Sequence, residues 1–318
     1  MAIIGVDIQV AKQLLQNNEL VAIPTETVYG LAANAFNDLA IASIFKTKNR
    51  PTFDPLIVHT FHIEKTHDFV TNIHPKLLKL AQTFWPGPLT LLLPKKNNIS
   101  DLVTSGLDRV AVRVPNHALT LQLLSQLNFP LAAPSANPFG YISPTTALHV
   151  QNQLGEKIPY ILNGGACNVG IESTIVGEEN GEIIIYRLGG LSIEAITQVV
   201  GSVTVQLNQS SNPKAPGQLK SHYAPLKPIF LTNDFINNNE PLKQKMGLLC
   251  FGEKTLTHNF TIIKNLSLSK NYEEAAVNLF SYLRQLDESD VDVILCDLLP
   301  EENLGRAIND RLKRAVSK

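Results

Sequence analysis

The chain has 318 residues, 44% hydrophobic and 17% charged, with a net charge of −1. That length and apolar content support one large domain or two ordinary ones and exclude global disorder. The balanced charge argues against a protein that coats nucleic acid, which shows as a basic excess, although a weak RNA contact stays open. The three cysteines, Cys167, Cys250 and Cys296, form no C-x-x-C pair, so neither a disulfide framework nor a zinc site is expected. No signal-peptide pattern and no bilayer-length apolar run is present, which reads as a cytoplasmic protein with no membrane contact.

Apolar strands and amphipathic helices alternate through the first two thirds of the chain. Residues 20–23 read as a buried strand that opens into the polar turn Pro24, Thr25, Glu26, Thr27, Val28, Tyr29 and Gly30. Asp38 is expected to cap a helix running to Lys48, with Ile41, Ile44 and Phe45 inward and Pro51 forcing the exit. Residues 55–59 read as the next strand. A helix is expected over 75–84, with Pro75 in its first turn. Strands follow at 89–93 and 110–114, then a helix at 117–127. A strand at 130–133 ends in Pro134, Ser135, Ala136 and Asn137. Further strands fall at 160–162, 174–176 and 183–187, and Ser192 caps a helix through Val200.

Residues 208–228 break the pattern with turn residues and prolines. This stretch carries three lysines and no acid, while the segments before and after it each carry −2. A plain tether and a lid both suit that composition. The expected organisation is therefore a first domain over 1–207, a basic linker over 208–228, and a second domain over 229–318. The second domain shows strand-like runs at 229–232, 247–251 and 292–296 and helical runs at 272–286 and 303–316. That alternation predicts a small α/β domain with a parallel core.

Three polar turns, each hung on a strand end, suggest one shared site. No standard P-loop or dinucleotide fingerprint is present, and no H-E-x-x-H or G-x-S-x-G. Lys48 and Arg50 at a helix end complement its negative terminus, worth about 0.3–1 kcal/mol each, or hold an anionic ligand. Arg109, Arg113 and Arg187, at or within strands, favour a phosphate or carboxylate, which a guanidinium grips with two bonds. Alternation places the Arg113 side chain opposite Val112 and Val114. The turn at Ser135 and Asn137 serves as a simple turn or as a reader of a purine or ribose. The glycines of the stretch 164–174, which holds Ser173, let the backbone approach a ligand closely or serve a tight turn. His59, His62, His67 and His74 are irregularly spaced, so no protein metal site is expected.

Taken together, these residues resemble one family. PTETVYGLA (24–32), Lys48 and Arg50, DPLIVH (54–59), WPGPLTLLL (85–93), VAVRVP (110–115), PLAAPSAN (130–137), ISPTTA (142–147), GIESTIV (170–176) and YRLGG (186–190) are similar to the YrdC-type domain of L-threonylcarbamoyladenylate synthases. PGQLKSHYAP (216–225) and the following segment resemble the longer, two-domain form. The resemblance implies an α/β fold, with a twisted mixed sheet around a concave site and a smaller Rossmann-like C-terminal domain. It implies a nucleotidyltransferase that makes threonylcarbamoyl-AMP and pyrophosphate from L-threonine, bicarbonate or CO2, and ATP accompanied by Mg²⁺. A tRNA threonylcarbamoyl transferase would receive the product. By the same resemblance, Thr27, His59, Arg113, Ser173 and the backbone at Ala133 hold threonine. Lys48, Arg50, Arg109, Ser135, Asn137, Ser143, Arg187 and Tyr223 hold ATP, with Lys48 and Arg50 as the catalytic cations. The family usually has Asn where this chain has Asp54, a nucleotide-site carboxylate that would repel phosphates unless Mg²⁺ or a base intervenes. The rival readings are an RNA-binding module of the same fold and a carbamoyl-transfer enzyme of hydrogenase maturation. The second is disfavoured because the chain has no C-x-x-C and no added segments.

Overall fold

Short apolar runs, each stopped by a polar turn, build the first sheet. The computed structural model describes all residues except 208–214, 217–221, 239–243, 256–257 and 318. The chain opens with β1 (Ile3–Gly5), α1 (Ile8–Gln16), β2 (Val21–Ile23), β3 (Gly30–Asn34) and α2 (Asp38–Lys48). Next come β4 (Ile57–His59), α3 (Pro75–Phe84), β5 (Leu89–Pro94), α4 (Asp101–Thr104), β6 (Arg109–Arg113) and α5 (Ala118–Ser125). β7 (Leu131–Ala132), α6 (Ala147–Leu154), β8 (Tyr160–Leu162), β9 (Thr174–Glu179), β10 (Glu182–Arg187), α7 (Ile193–Val200) and β11 (Thr204–Val205) follow. The last part holds β12 (Ile229–Leu231), α8 (Thr232–Asn238), β13 (Met246–Cys250), β14 (Ile262–Asn265), α9 (Tyr272–Glu288), β15 (Val293–Cys296) and α10 (Gly305–Val316).

The first eleven strands form one sheet in the order β1-β8-β2-β3-β7-β4-β6-β5-β9-β10-β11. It is mixed: β4 runs parallel to β6, and β7 runs antiparallel to both β3 and β4. The second sheet has the order β12-β15-β13-β14, with every pairing parallel, as the alternation predicted. α9 makes the crossover from β14 to β15.

Local chemistry adjusts several of the expected bounds. The N-cap of α2 is Asn37, whose side chain accepts from Ala40 N–H at 2.9 Å, and Asp38 is instead its acidic first residue. The helix ends through Asn49, which adopts φ 53 before Pro51 is reached. β4 begins only at Ile57, because Pro55 has no N–H to give a ladder. The expected helix over 75–84 matches α3, with Pro75 at its start.

One apolar cluster runs through both sheets, from Leu31, Val58 and Val112 through Ile171 and Leu188 to Phe280, Ile308 and Leu312. Each such fully buried side chain contributes about 1.5–3 kcal/mol. Contact between the two units is tight at Gly170. Its φ is +79, and a Cβ there would lie 2.4 Å from the Ala276 carbonyl oxygen on α9. Only glycine fits both demands.

Candidate active site

The turn between β2 and β3 is organised by one hydroxyl. Thr25 Oγ1 donates to the Val28 carbonyl at 2.6 Å and accepts from the Thr27 and Val28 N–H groups. The Thr27 hydroxyl lies 2.8 Å from it and also accepts from Arg113 Nη1 at 2.8 Å. Gly30 lets the two polar turns approach. It bridges to Ser135, and a Cβ on it would lie 3.1 Å from that of Ala133.

Buried cations surround this meeting point. Lys48 Nζ donates to the Ser135 carbonyl at 2.6 Å and to that of Asn137. Burial, then the Arg50 charge, pushes its ammonium well below the usual range, and Asp54 opposes the shift. Arg50 pairs with Asp54 at 2.8 Å. Arg113 pairs with the buried Glu26 at 2.7 Å. Arg187 donates to the Ser173 carbonyl at 2.9 and 3.0 Å, to its hydroxyl at 3.1 Å and to the Pro216 carbonyl at 3.3 Å. Burial pulls this guanidinium down to about 10, so it stays charged at neutral pH. Taking such charges out of water is costly, and a polyanion brought into contact lowers that cost. His59 behaves differently: burial, then Arg113, holds its imidazole at about 3, so it is neutral at pH 7. Its Nδ1 is buried without a hydrogen-bond partner among the described residues.

The described parts of the linker close the cavity. Ala215, Pro216, His222, Tyr223 and Ala224 are all buried. Tyr223 sits at φ 67, an outlier for a bulky aromatic residue, and its ring stacks on Phe280 at 5.5 Å. Ala224 N–H donates to the Gly140 carbonyl at 2.9 Å. The cavity that remains is about 50 Å³. That is space for a few waters and far too little for a nucleotide beside an amino acid. Most of the lid expected over 208–228, including Lys214 and Lys220, lies outside the described residues.

Thr27, His59, Arg113, Ala133 and Ser173 all line this cavity. So do Arg50, Ser135, Arg187 and Tyr223. Lys48, Asp54, Asn137 and Ser143 form a buried layer behind them. Arg109 stands apart at the opposite end of β6 from Arg113, four residues or roughly 13 Å along the strand. It donates to the Tyr186 hydroxyl at 3.2 Å and pairs with Glu179 at 3.3 Å. Tyr186 shares a cluster with Ile57 and the linker's Ala215, so this end of the sheet face also lies beneath the linker. Of the β6 side chains opposite its valines, Arg113 is buried and lines the cavity, Ala111 packs in the apolar cluster with Tyr186, and Arg109 is half-buried.

Sequence reasoning missed Glu172 and His222, which line the cavity, and Arg311, which pairs with Glu172 at 3.1 Å from α10. A signal was present in α10: Arg311 and Arg314 share a face with Ala307, Ile308, Leu312 and Ala315, where a solvated arginine does not belong. Cys167 is buried in the core, and burial pushes its thiol up to about 12, so it is no thiolate nucleophile at neutral pH.

A mixed sheet whose strand ends gather hydroxyls and buried cations around one cavity, backed by a second α/β unit that bonds to Ser143 and Glu172, defines a two-unit YrdC-type protein. The telomere recombination (Sua5/YciO/YrdC) family model matches residues 13–189, and the model of the threonylcarbamoyl-AMP synthase C-terminal domain matches 191–317. Threonylcarbamoyl-AMP synthase of Bacillus subtilis is 38% identical over 317 residues, covering 96% of this chain and 92% of the relative. The Pyrococcus abyssi enzyme is 37% identical over 97% of this chain and 93% of the relative. The crystal structure of P. abyssi Sua5 complexed with L-threonine superposes with a TM-score of 0.89 at 36% identity, over 97% of this chain and 94% of that one. The chain belongs to the threonylcarbamoyl-AMP synthase family.

Proposed function

We propose that the cavity binds L-threonine against Thr27, His59, Arg113, Ala133 and Ser173, and ATP against the adjoining cationic wall. The chain makes threonylcarbamoyl-AMP as a nucleotidyltransferase-type enzyme. Two different sets of groups at one cavity carry the reading: a hydroxyl and guanidinium cluster at Thr27 and Arg113, and a separate pair of buried cations at Arg50 and Arg187 with Lys48 buried behind them.

In this reading the threonine carboxylate meets Arg113, which Glu26 and Thr27 hold in place. Neutral His59 offers a nitrogen to the amino acid's polar atoms without adding charge. The amine adds to the carbon of CO2 and loses a proton, or to that of bicarbonate with loss of water, to give a carbamate. A carbamate oxygen then attacks the α-phosphorus, and pyrophosphate leaves. No protein nucleophile is needed, and the chain's work is positioning and charge stabilisation. Lys48 and Arg50 act as the catalytic cations, and Arg187 faces the same phosphates. Lys48 also fixes the Ser135 and Asn137 turn through its two carbonyl contacts. Arg50 is the base that stands between Asp54 and the nucleotide. Asn137 and Ser143 brace the wall from behind, and Arg109 serves the outer end of the same face.

Mg²⁺ fits here as a companion of the triphosphate. Asp54 is engaged by Arg50, and no group of three acidic, His or Cys residues among the described ones could hold a metal. Bound with ATP, the ion would offset charge on the leaving pyrophosphate.

Residues 1–207 act as the catalytic unit and 229–318 as the supporting one. Residues 208–228 act as a lid that excludes water from a labile adenylate. Strain at Tyr223 and the small cavity support a lid that must open for substrate. The setting is cytoplasmic, no described helix is long and apolar enough to cross a membrane, and a tRNA threonylcarbamoyl transferase takes the product. The test is pyrophosphate release from ATP and bicarbonate with L-threonine, with L-serine, and with no amino acid. Release strongly favouring threonine is expected. Equal release in all three would overturn the reading.

A further inference from the structure

The Arg311 guanidinium comes from the C-terminal unit, yet it is fully buried behind the cavity wall of the first. Nη2 and Nε donate to Glu172 Oε2 at 3.1 and 3.2 Å. Nη1 donates to the Leu188 carbonyl at 2.5 Å, next to Arg187. The same guanidinium lies 5.4 Å from the Tyr223 ring centroid. Glu172 itself lines the cavity, and its Oε1 accepts from Ser143 Oγ at 2.6 Å. A carboxylate in that wall faces the space assigned to phosphates, where it would repel them. The Glu172 charge therefore needs a cation on its far side and a fixed orientation.

We propose that Arg311 is a positioning residue for the nucleotide half of the site, acting through Glu172. It neutralises the Glu172 carboxylate from behind and turns its other oxygen to Ser143, so that the wall presents Ser173 and Arg187 rather than a free negative charge. The C-terminal unit thereby completes the ATP site without touching ATP. This rests on the proposed reading in one respect, that phosphates lie against the wall holding Glu172 and Arg187.

The test compares the full-length wild type with Arg311→Met, Arg311→Lys and the double variant Arg311→Met with Glu172→Gln. ATP dissociation constants are measured by calorimetry and KM values by pyrophosphate release. Arg311→Met is expected to raise the ATP Kd and KM about tenfold or more, since it leaves an uncompensated carboxylate facing the phosphates, with threonine KM within about twofold. Arg311→Lys, which keeps the charge, should fall between. Adding Glu172→Gln should recover most of the ATP affinity, because the repelling charge is gone. The double variant also removes the stranded buried charge, so it should be more stable than Arg311→Met, and where Arg311→Met loses its fold the Arg311→Lys variant still reads the ATP Kd. Unchanged ATP Kd in Arg311→Met overturns the inference. So does a double variant that binds ATP as weakly as Arg311→Met, or a loss confined to thermal stability and kcat. A wild type that binds ATP but releases pyrophosphate without threonine defeats the functional reading alone, and the comparison of Kd values still decides the role of Arg311.

Discussion

The two units use buried charge differently. In the first, Lys48, Arg50, Arg113 and Arg187 surround a cavity, and the carboxylates Glu26 and Asp54 each hold one arginine in place. In the second, Arg284, Asp287 and Arg311 are buried on α9 and α10 but aim at the first unit. Arg284 donates to the Ile142 and Ser143 carbonyls and to Gln153, and Asp287 accepts from the Tyr141 hydroxyl at 2.6 Å. These contacts grip the loop from Tyr141 to Ser143, just as Arg311 grips Glu172. The second unit thus supports the site's back wall with charges that its own four-stranded sheet does not use.

The contrast can be broken most forcefully at Arg50. Arg50→Met removes a cavity cation and breaks its buried ion pair with Asp54. kcat/KM for ATP should fall about 100- to 1,000-fold, and urea unfolding should show a loss of about 3–5 kcal/mol. Less than a tenfold kinetic loss would take Arg50 out of the nucleotide wall. Arg113→Ala should act on the other substrate, raising threonine KM about thirtyfold, or about 2 kcal/mol, with ATP KM little changed. Equal effects on both KM values would erase the division between the two halves of the cavity.

The contact between units is sharpened by Gly170→Ala. A side chain at φ +79 facing the Ala276 carbonyl should cost about 1–3 kcal/mol in denaturant titration. A neutral result would mean that α9 yields easily. His59 gives a pH signature. Its folded value of about 3 lies below the unfolded value of about 6.5, so only the unfolded chain takes up the proton between them. The stability from keeping His59 neutral is present above about pH 6.5 and is lost as pH falls toward 3. At pH 5 the loss is about 2 kcal/mol, and the pH dependence of unfolding in His59→Asn should be flatter by that amount. The smallest effect belongs to Lys245 and Asp290, an exposed pair at 2.6 Å. Asp290→Asn should leave the melting temperature unchanged, and a clear drop would show that exposed charge matters more than this comparison allows.

Much of this was readable in the chain because it depends on near neighbours. Pro75 and the period of Leu77, Leu80 and Ala81 mark α3, and Ser192 marks the start of α7. The polar turns after β2 and β7 announce themselves by hydroxyls and prolines at strand ends. Asn37 and Asp38 are adjacent residues of capping type, and the expected cap, Asp38, is the wrong one of the two: backbone geometry chooses Asn37. Ile262 to Asn265 is too short and too polar to stand out, yet it pairs with β13 as β14. The partnership of Glu172 with Arg311 spans 139 residues, and no local pattern encodes it. Arg109 and Arg113 looked alike on one strand, but extended backbone separates their ends, so only Arg113 reaches the cavity.

The central claim is that one cavity joins an amino acid to a nucleotide through a carbon taken from bicarbonate. Incubation with ¹³C-bicarbonate, L-threonine and ATP, read by mass spectrometry, tests it directly. The wild type should give a threonylcarbamoyl-nucleotide product carrying one labelled carbon, with its yield sharply reduced in Arg50→Met and Arg113→Ala alike. An unlabelled product, or full yield from both variants, would contradict it.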